Sequence, residues 1–149
     1  MKCIVYERPD GGVSIVRPVY KNIREGETEG VFLERIRAKD VPGDALNARV
    51  VDWADVPQDR TFRNAWLVDL TVDMTKAREI HRDRLRAMRV PLLQALDTEY
   101  LRADERADLI AKQTIAAKKQ ALREVTADPA IDSAKSPDEL KRMWNPEVV

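Results

Sequence analysis

Apolar positions in the first half of the chain fall in short runs broken by turn residues, a pattern of strands more than of long helices. Residues 2–8, with Ile4, Val5 and Tyr6, predict a strand. The turn residues Pro9-Asp10-Gly11-Gly12 and the run Val13–Val16 complete a predicted β-hairpin. Residues 21–30 are polar and punctuated by glycine, so a loop is expected. Phe32, Leu33 and Ile36 predict a short amphipathic helix over Val31–Lys39. It should end before Val41-Pro42-Gly43, because proline disfavours helix in the residue ahead of it. Ala48–Trp53 predicts a third strand, Val56-Pro57-Gln58-Asp59-Arg60 a connector, and Leu67–Val72 a fourth strand.

In the second half the period changes to that of a helix. After a cap at Asp73 or Thr75, residues Ala77, Ile80, Leu85, Met88, Leu92, Ala95, Leu96, Tyr100 and Ala103 recur on one face. The stripe keeps its phase across Pro91, which predicts a bend and not a break. Asp104-Glu105-Arg106-Ala107-Asp108 forms a charged tip, with Asp104 or Asp108 placed to cap the next helix. Ala107, Ile110, Ala111, Thr114, Ile115, Ala121, Leu122 and Val125 make the second stripe. A short connection between two amphipathic helices favours antiparallel neighbours. Thr126-Ala127-Asp128-Pro129 ends this helix. Ser136-Pro137-Asp138-Glu139 starts a short one that carries Leu140, Met143 and Trp144 before Pro146.

The expected class is α+β: a small N-terminal β-rich unit with one short helix, then an antiparallel helical hairpin and a short C-terminal helix. The corresponding domains are 1–72, 73–126 and 127–149. The second hairpin helix is the shorter, so the stretch Ala77–Arg84 must bury its face against something else. The N-terminal unit, the helix carrying Trp144 and another chain are the candidates. Charge along the hairpin is segregated. Lys76, Arg78, Arg82, Arg84, Arg86 and Arg89 stand at one end, and Asp97, Glu99, Asp104, Glu105 and Asp108 near the other. Two readings stand: polarity that orients a partner or a second copy, and a solvated face laced with pairs such as Glu79–Arg82 and Asp83–Arg86. Glu99 and Lys118 fall in or beside the stripes and are expected to snorkel to the edge.

Composition narrows the function classes. The 149 residues hold 26 basic and 26 acidic side chains, so no net field draws the chain to nucleic acid or membrane. No apolar run approaches the roughly 20 residues of a spanning helix. Met1-Lys2-Cys3-Ile4-Val5-Tyr6-Glu7-Arg8 turns charged too soon for a secretory leader, so synthesis in the cytoplasm is expected. All 5 glycines lie at or before Gly43, and neither the P-loop nor the dinucleotide fingerprint occurs.

Candidate chemistry is sparse. One histidine, His81, and one cysteine, Cys3, are too few for a structural zinc site, and no carboxylate pair has distinctive spacing. Catalytic residues, cofactor and metal are therefore expected to be absent. Phe62 and Trp66, spaced i,i+4, are read either as a core plug or as a docking patch. Trp144 carries the same ambiguity. With His81 and Arg84, on the shoulder of the long helix, these make the candidate partner contacts: Phe62, Trp66, His81, Arg84 and Trp144.

Asp59–Trp66, Lys76–Arg86, Lys119–Thr126 and Asp128-Pro129 together resemble small tail-module proteins of tailed phages and prophages. The last third is also similar to the C-termini of tail-fibre-assembly and tail-assembly chaperones. Those pair an Arg-x-x-Leu-Arg helical segment with a threonine–proline break and a terminal Trp-Pro. Here Asn145 separates Trp144 from Pro146, Asp132–Glu139 lengthens the connection, and the N-terminal unit has no counterpart. The resemblance implies a non-enzymatic, minor structural protein of the virion tail, baseplate or neck. An assembly chaperone not retained in the particle, or a small inhibitor of a host protein, is the alternative. Partners are then other phage structural proteins or further copies of the chain, with no nucleic acid and no membrane. The location is the host cytoplasm during synthesis, with the virion as destination.

Overall fold

The structure, a computed structural model, describes residues 1–143. It divides into two compact units, Met1–Asp73 and the chain from Met74 onward.

In the first unit, β1 (Lys2–Glu7) is the centre of a three-stranded antiparallel sheet. It is flanked by β2 (Val13–Val16) and β3 (Leu46–Asp52). Tyr6 pairs with Ser14, and Cys3 with Val51. The turn between β1 and β2 places Gly11 at a left-handed φ of 76°, which glycine adopts without strain, and Asp10 accepts bonds from the Gly12 amide and the Arg8 guanidinium. Both faces of β1 are covered, one by Phe32, Leu33 and Ile36 and the other by Val56 and Trp66, which is why it reads as a nearly unbroken apolar run. Cys3 and Val5 point to one cluster with Val13, Val56 and Trp66. Ile4 points to the other, under Phe32, Leu33 and Ile36 of α1 (Glu29–Asp40). Each such buried side chain stabilises the unit by about 1.5–3 kcal/mol.

α1 starts where Thr28 accepts a hydrogen bond from the Val31 amide, and it ends at Val41 before Pro42. The polar loop ahead of it is fastened down. Glu27 accepts two bonds of 2.8 Å from Arg35 and one of 2.9 Å from the Arg24 amide. These bonds, Arg35 first, hold the Glu27 carboxyl at about 2.

The predicted fourth strand over Leu67–Val72 does not form. Trp66 and Val72 make a single isolated bridge around a tight turn. Asp69 accepts bonds from both the amide and the hydroxyl of Thr71, and Leu70 takes a left-handed φ of 68°. The Asx-type turn therefore wins over the alternating pattern.

The second unit is built on α2 (Met74–Glu105), which runs unbroken through Pro91, and α3 (Leu109–Glu124), antiparallel to it. The link between them is a Schellman turn. The Asp108 amide bonds the Ala103 carbonyl, the Ala107 amide bonds Asp104, and Ala107 stands at φ 53°. Asp108, not Asp104, caps α3 by accepting the Ala111 amide.

The buried seam is narrower than either predicted stripe. Ala103, Ile115 and Leu122 are buried, and Leu96 and Tyr100 half-buried, but Leu92, Ala95, Ala107, Ile110 and Ala121 are exposed. A helix with one helical neighbour buries only the seam facing it, not a full amphipathic face. Glu99 and Lys118 stay exposed, as expected. Beyond α3 the chain forms α4 (Pro129–Ser133), which the sequence reading missed, and α5 (Pro137–Arg142). Asp128 caps α4 with Pro129 in the first turn; Ser136 caps α5 in the same way.

Candidate interaction surface

α3 has 16 residues against 32 in α2, so about the first half of α2 extends past it. Here α2 buries Ala77, His81 and Leu85, spaced i,i+4,i+8. Within the unit, the C-terminal segment returns to this end, and α5 packs on α2. Ile131, Ala134 and Leu140 of the segment are all buried. Of the alternatives open for the Ala77–Arg84 face, the same chain's C-terminal segment is one cover the structure supplies.

Arginines of α2 hold that segment. Arg78 donates to the Ala134 carbonyl at 2.8 Å. Arg82 bonds the Asp132 and Glu79 carboxylates, each at 2.6 Å, and reaches the Thr126 carbonyl. Arg89 donates to the Arg123 carbonyl at 3.0 Å. The last carbonyls of a helix lack intrahelical partners, and guanidinium donors satisfy them while complementing the negative end of the helix dipole. Arg86 is engaged by Asp83 at 2.6 Å. Arg78, Arg82, Arg86 and Arg89 thus face inward partners or their own helix. The basic end is largely a clasp within the unit, so little of it forms a free field.

The acidic end is engaged in the same way. Asp97 pairs with Lys119 and Asp104 with Lys112, both across the hairpin. The two ammonium groups flank the Tyr100 ring at 5.3 Å from its centroid. These pairs were not read from the sequence, although they share one antiparallel register once the turn is placed at 106–108.

Near its turn the hairpin also exposes Leu101, Leu109 and Ile110 among charged residues, Ile110 the most at 79%.

The sequence-predicted contacts are described each within its own unit. Phe62 and Trp66 are buried at 3% and 2%, Trp66 within the core cluster of the first unit. They do not share a helical turn: Phe62 precedes the single 3₁₀ turn Arg63–Ala65, and Trp66 follows it in extended conformation. His81 is fully buried in α2. Its imidazole is held below its ordinary value by burial, then by the charges of Arg84 and Arg82. Arg84 is half-exposed. Trp144 lies outside the described residues. Cys3 belongs to the first unit and His81 to the second. The buried Cys3 thiol is pushed up by burial and by Asp52, away from the thiolate a nucleophile needs.

Among the described residues no group of three or more His, Cys, Asp or Glu side chains is placed to hold a metal. No described helix is long and apolar enough to cross a membrane. A cleft of about 340 Å³ lies between Arg8–Asp10 and Pro42–Ala45, but Asp10 and Ser14 already engage its Arg8. Comparison with protein-family models, with curated proteins and with solved structures finds no match.

Proposed function

We propose that this chain is a non-enzymatic structural protein of a tailed-phage tail module, a minor component of the virion that works by protein–protein contact through its helical hairpin. The observation that carries the reading is the division of labour along the hairpin. Its proximal end is covered and clasped by the C-terminal segment, while its distal end presents Leu101, Leu109 and Ile110 to solvent. Apolar side chains of this size at a rigid helical tip suit insertion into a neighbouring subunit. The resemblance of Lys76–Arg86 and Lys119–Thr126 to tail-module proteins supplies the setting. The reading assigns no catalytic residue, cofactor or metal.

The test is mass spectrometry of purified particles from the phage or prophage that encodes the chain. A fixed number of copies per particle is the expected result, and that number reports the symmetry of its position. Absence from particles, with the protein abundant in producing cells, overturns the virion assignment. It would favour an assembly chaperone, or a binder of a host protein.

A further inference from the structure

The sheet of the first unit ends in two open edges, and they differ. β2 has four residues, its Val13 is buried, and it runs into Arg17-Pro18, where proline offers no amide. β3 has seven. Its first residues are bent by an irregularity opposite Val5–Glu7, where Asn47 takes a φ of 53° and donates to Glu7. From Arg49 to Asp52 the strand pairs regularly with β1. Among the described residues nothing hydrogen-bonds to its outer edge.

Open edges are normally blunted by lysine, proline, a bulge or an inward-pointing charge. Ala48–Asp52 contains neither lysine nor proline, and the bulge reaches only its first residue. Its one guanidinium is turned aside, since Arg49 donates twice to the Val68 carbonyl at 2.7 and 3.1 Å. On the α1 side, opposite Ile4, the strand shows Val50 at 37% exposure. Main-chain donors and acceptors beside exposed apolar side chains are what strand addition requires.

We infer that the outer edge of β3 is a strand-addition site whose occupant is the same edge of a second copy, antiparallel about a two-fold axis at Val50. Residues paired across antiparallel strands share a face, so the register fixes what meets what. Centred on Val50, that valine packs on its copy, Ala48 faces Asp52, and Arg49 faces Val51. No like charges oppose one another. Centred one residue earlier, Arg49 would oppose Arg49, which is unfavourable. The pairing makes a six-stranded sheet from two copies and closes on itself, as a two-fold contact must. It holds or fails regardless of whether the chain resides in a particle.

Sedimentation equilibrium on the full chain, with hydrogen exchange read at Ala48–Asp52, tests it. The expected result is a reversible dimer by about 1 mM, in the range of weak specific association. The outward amides of that segment should exchange about tenfold more slowly as dimer forms. Val50→Lys sets two ammonium groups across the axis and should return the monomer with the first unit still folded, Val50 being exposed. A chain monomeric at that concentration overturns the inference. So does a dimer in which Ala48–Asp52 exchanges as fast as in the monomer, a readout that needs no variant.

Discussion

Ala107 shows how a single backbone angle sets a stability term. It occupies the left-handed position of the turn after α2, which glycine fills most readily, and its side chain is exposed. A methyl group there strains the backbone and packs against nothing that would offset it. Ala107→Gly is therefore expected to stabilise the second unit by up to about 1 kcal/mol, net of the added freedom of the unfolded chain. Urea denaturation gives the shift, and a loss of stability would refute the strain argument. His81 illustrates a titrating residue. Its folded value lies below the ordinary 6.5, so as the pH falls the unfolded chain takes up the proton first. Its contribution is complete above about pH 6.5 and declines below it, toward the folded value. Denaturation midpoints measured between about pH 7.5 and 5.5 should fall in the native chain and be flatter in His81→Leu. Equal slopes in the two proteins would mean that another group governs the acid limb.

At the scale of elements, the C-terminal segment is the clearest case of structure borrowed from a neighbour. α4 has five residues and α5 six, far below the length at which an isolated helix persists. They form because Asp128 and Ser136 cap them, because Ile131, Ala134 and Leu140 are buried, and because arginines of α2 hold their carbonyls and Asp132. Arg82 reaches the segment twice, at the Asp132 carboxylate and the Thr126 carbonyl, while Glu79 of α2 orients its guanidinium. Arg82→Ala should weaken the docking of residues 125–142 by about 1 kcal/mol, less than for a buried bond to a charged group because Asp132 is exposed. Hydrogen exchange would read this as faster exchange in that segment, with the seam around Ala103 and Ile115 unchanged. Uniform acceleration across the unit would instead make Arg82 part of the global fold.

The architecture was legible wherever one local signal decided the outcome. Proline after Val41, the Asp108 cap and the Ser136-Pro137 start each act within a turn or two, and each element boundary follows them. Leu67–Val72 was misread because its alternation competes with Asp69, whose carboxylate reorganises the backbone two residues on. The Asp128-Pro129 start of α4 was present in the sequence and read only as a stop. Burial was harder, since it depends on how many neighbours a helix has. Ile110 stands five residues before Ile115, about 140° round the helix, and with a single helical neighbour only the Ile115 side is covered.

At the scale of the molecule, that misreading is informative about function. Leu109 and Ile110 stand at 69% and 79% exposure on a tip surrounded by charged residues, so they contribute little to the core of the unit. Exposed positions away from caps and cores usually change stability by less than about 0.5 kcal/mol when substituted. The double change Leu109→Lys and Ile110→Lys should therefore leave the melting temperature of the isolated protein nearly unchanged. If the tip is the contact that places the chain in a tail, the same change should cut its copy number per particle by about tenfold or more, because a desolvated anchor is replaced by two hydrated charges. Stability and incorporation are thereby separated in one variant. Full incorporation with unaltered stability would remove the hairpin tip from the contact and leave the exposed leucine and isoleucine without a role in assembly.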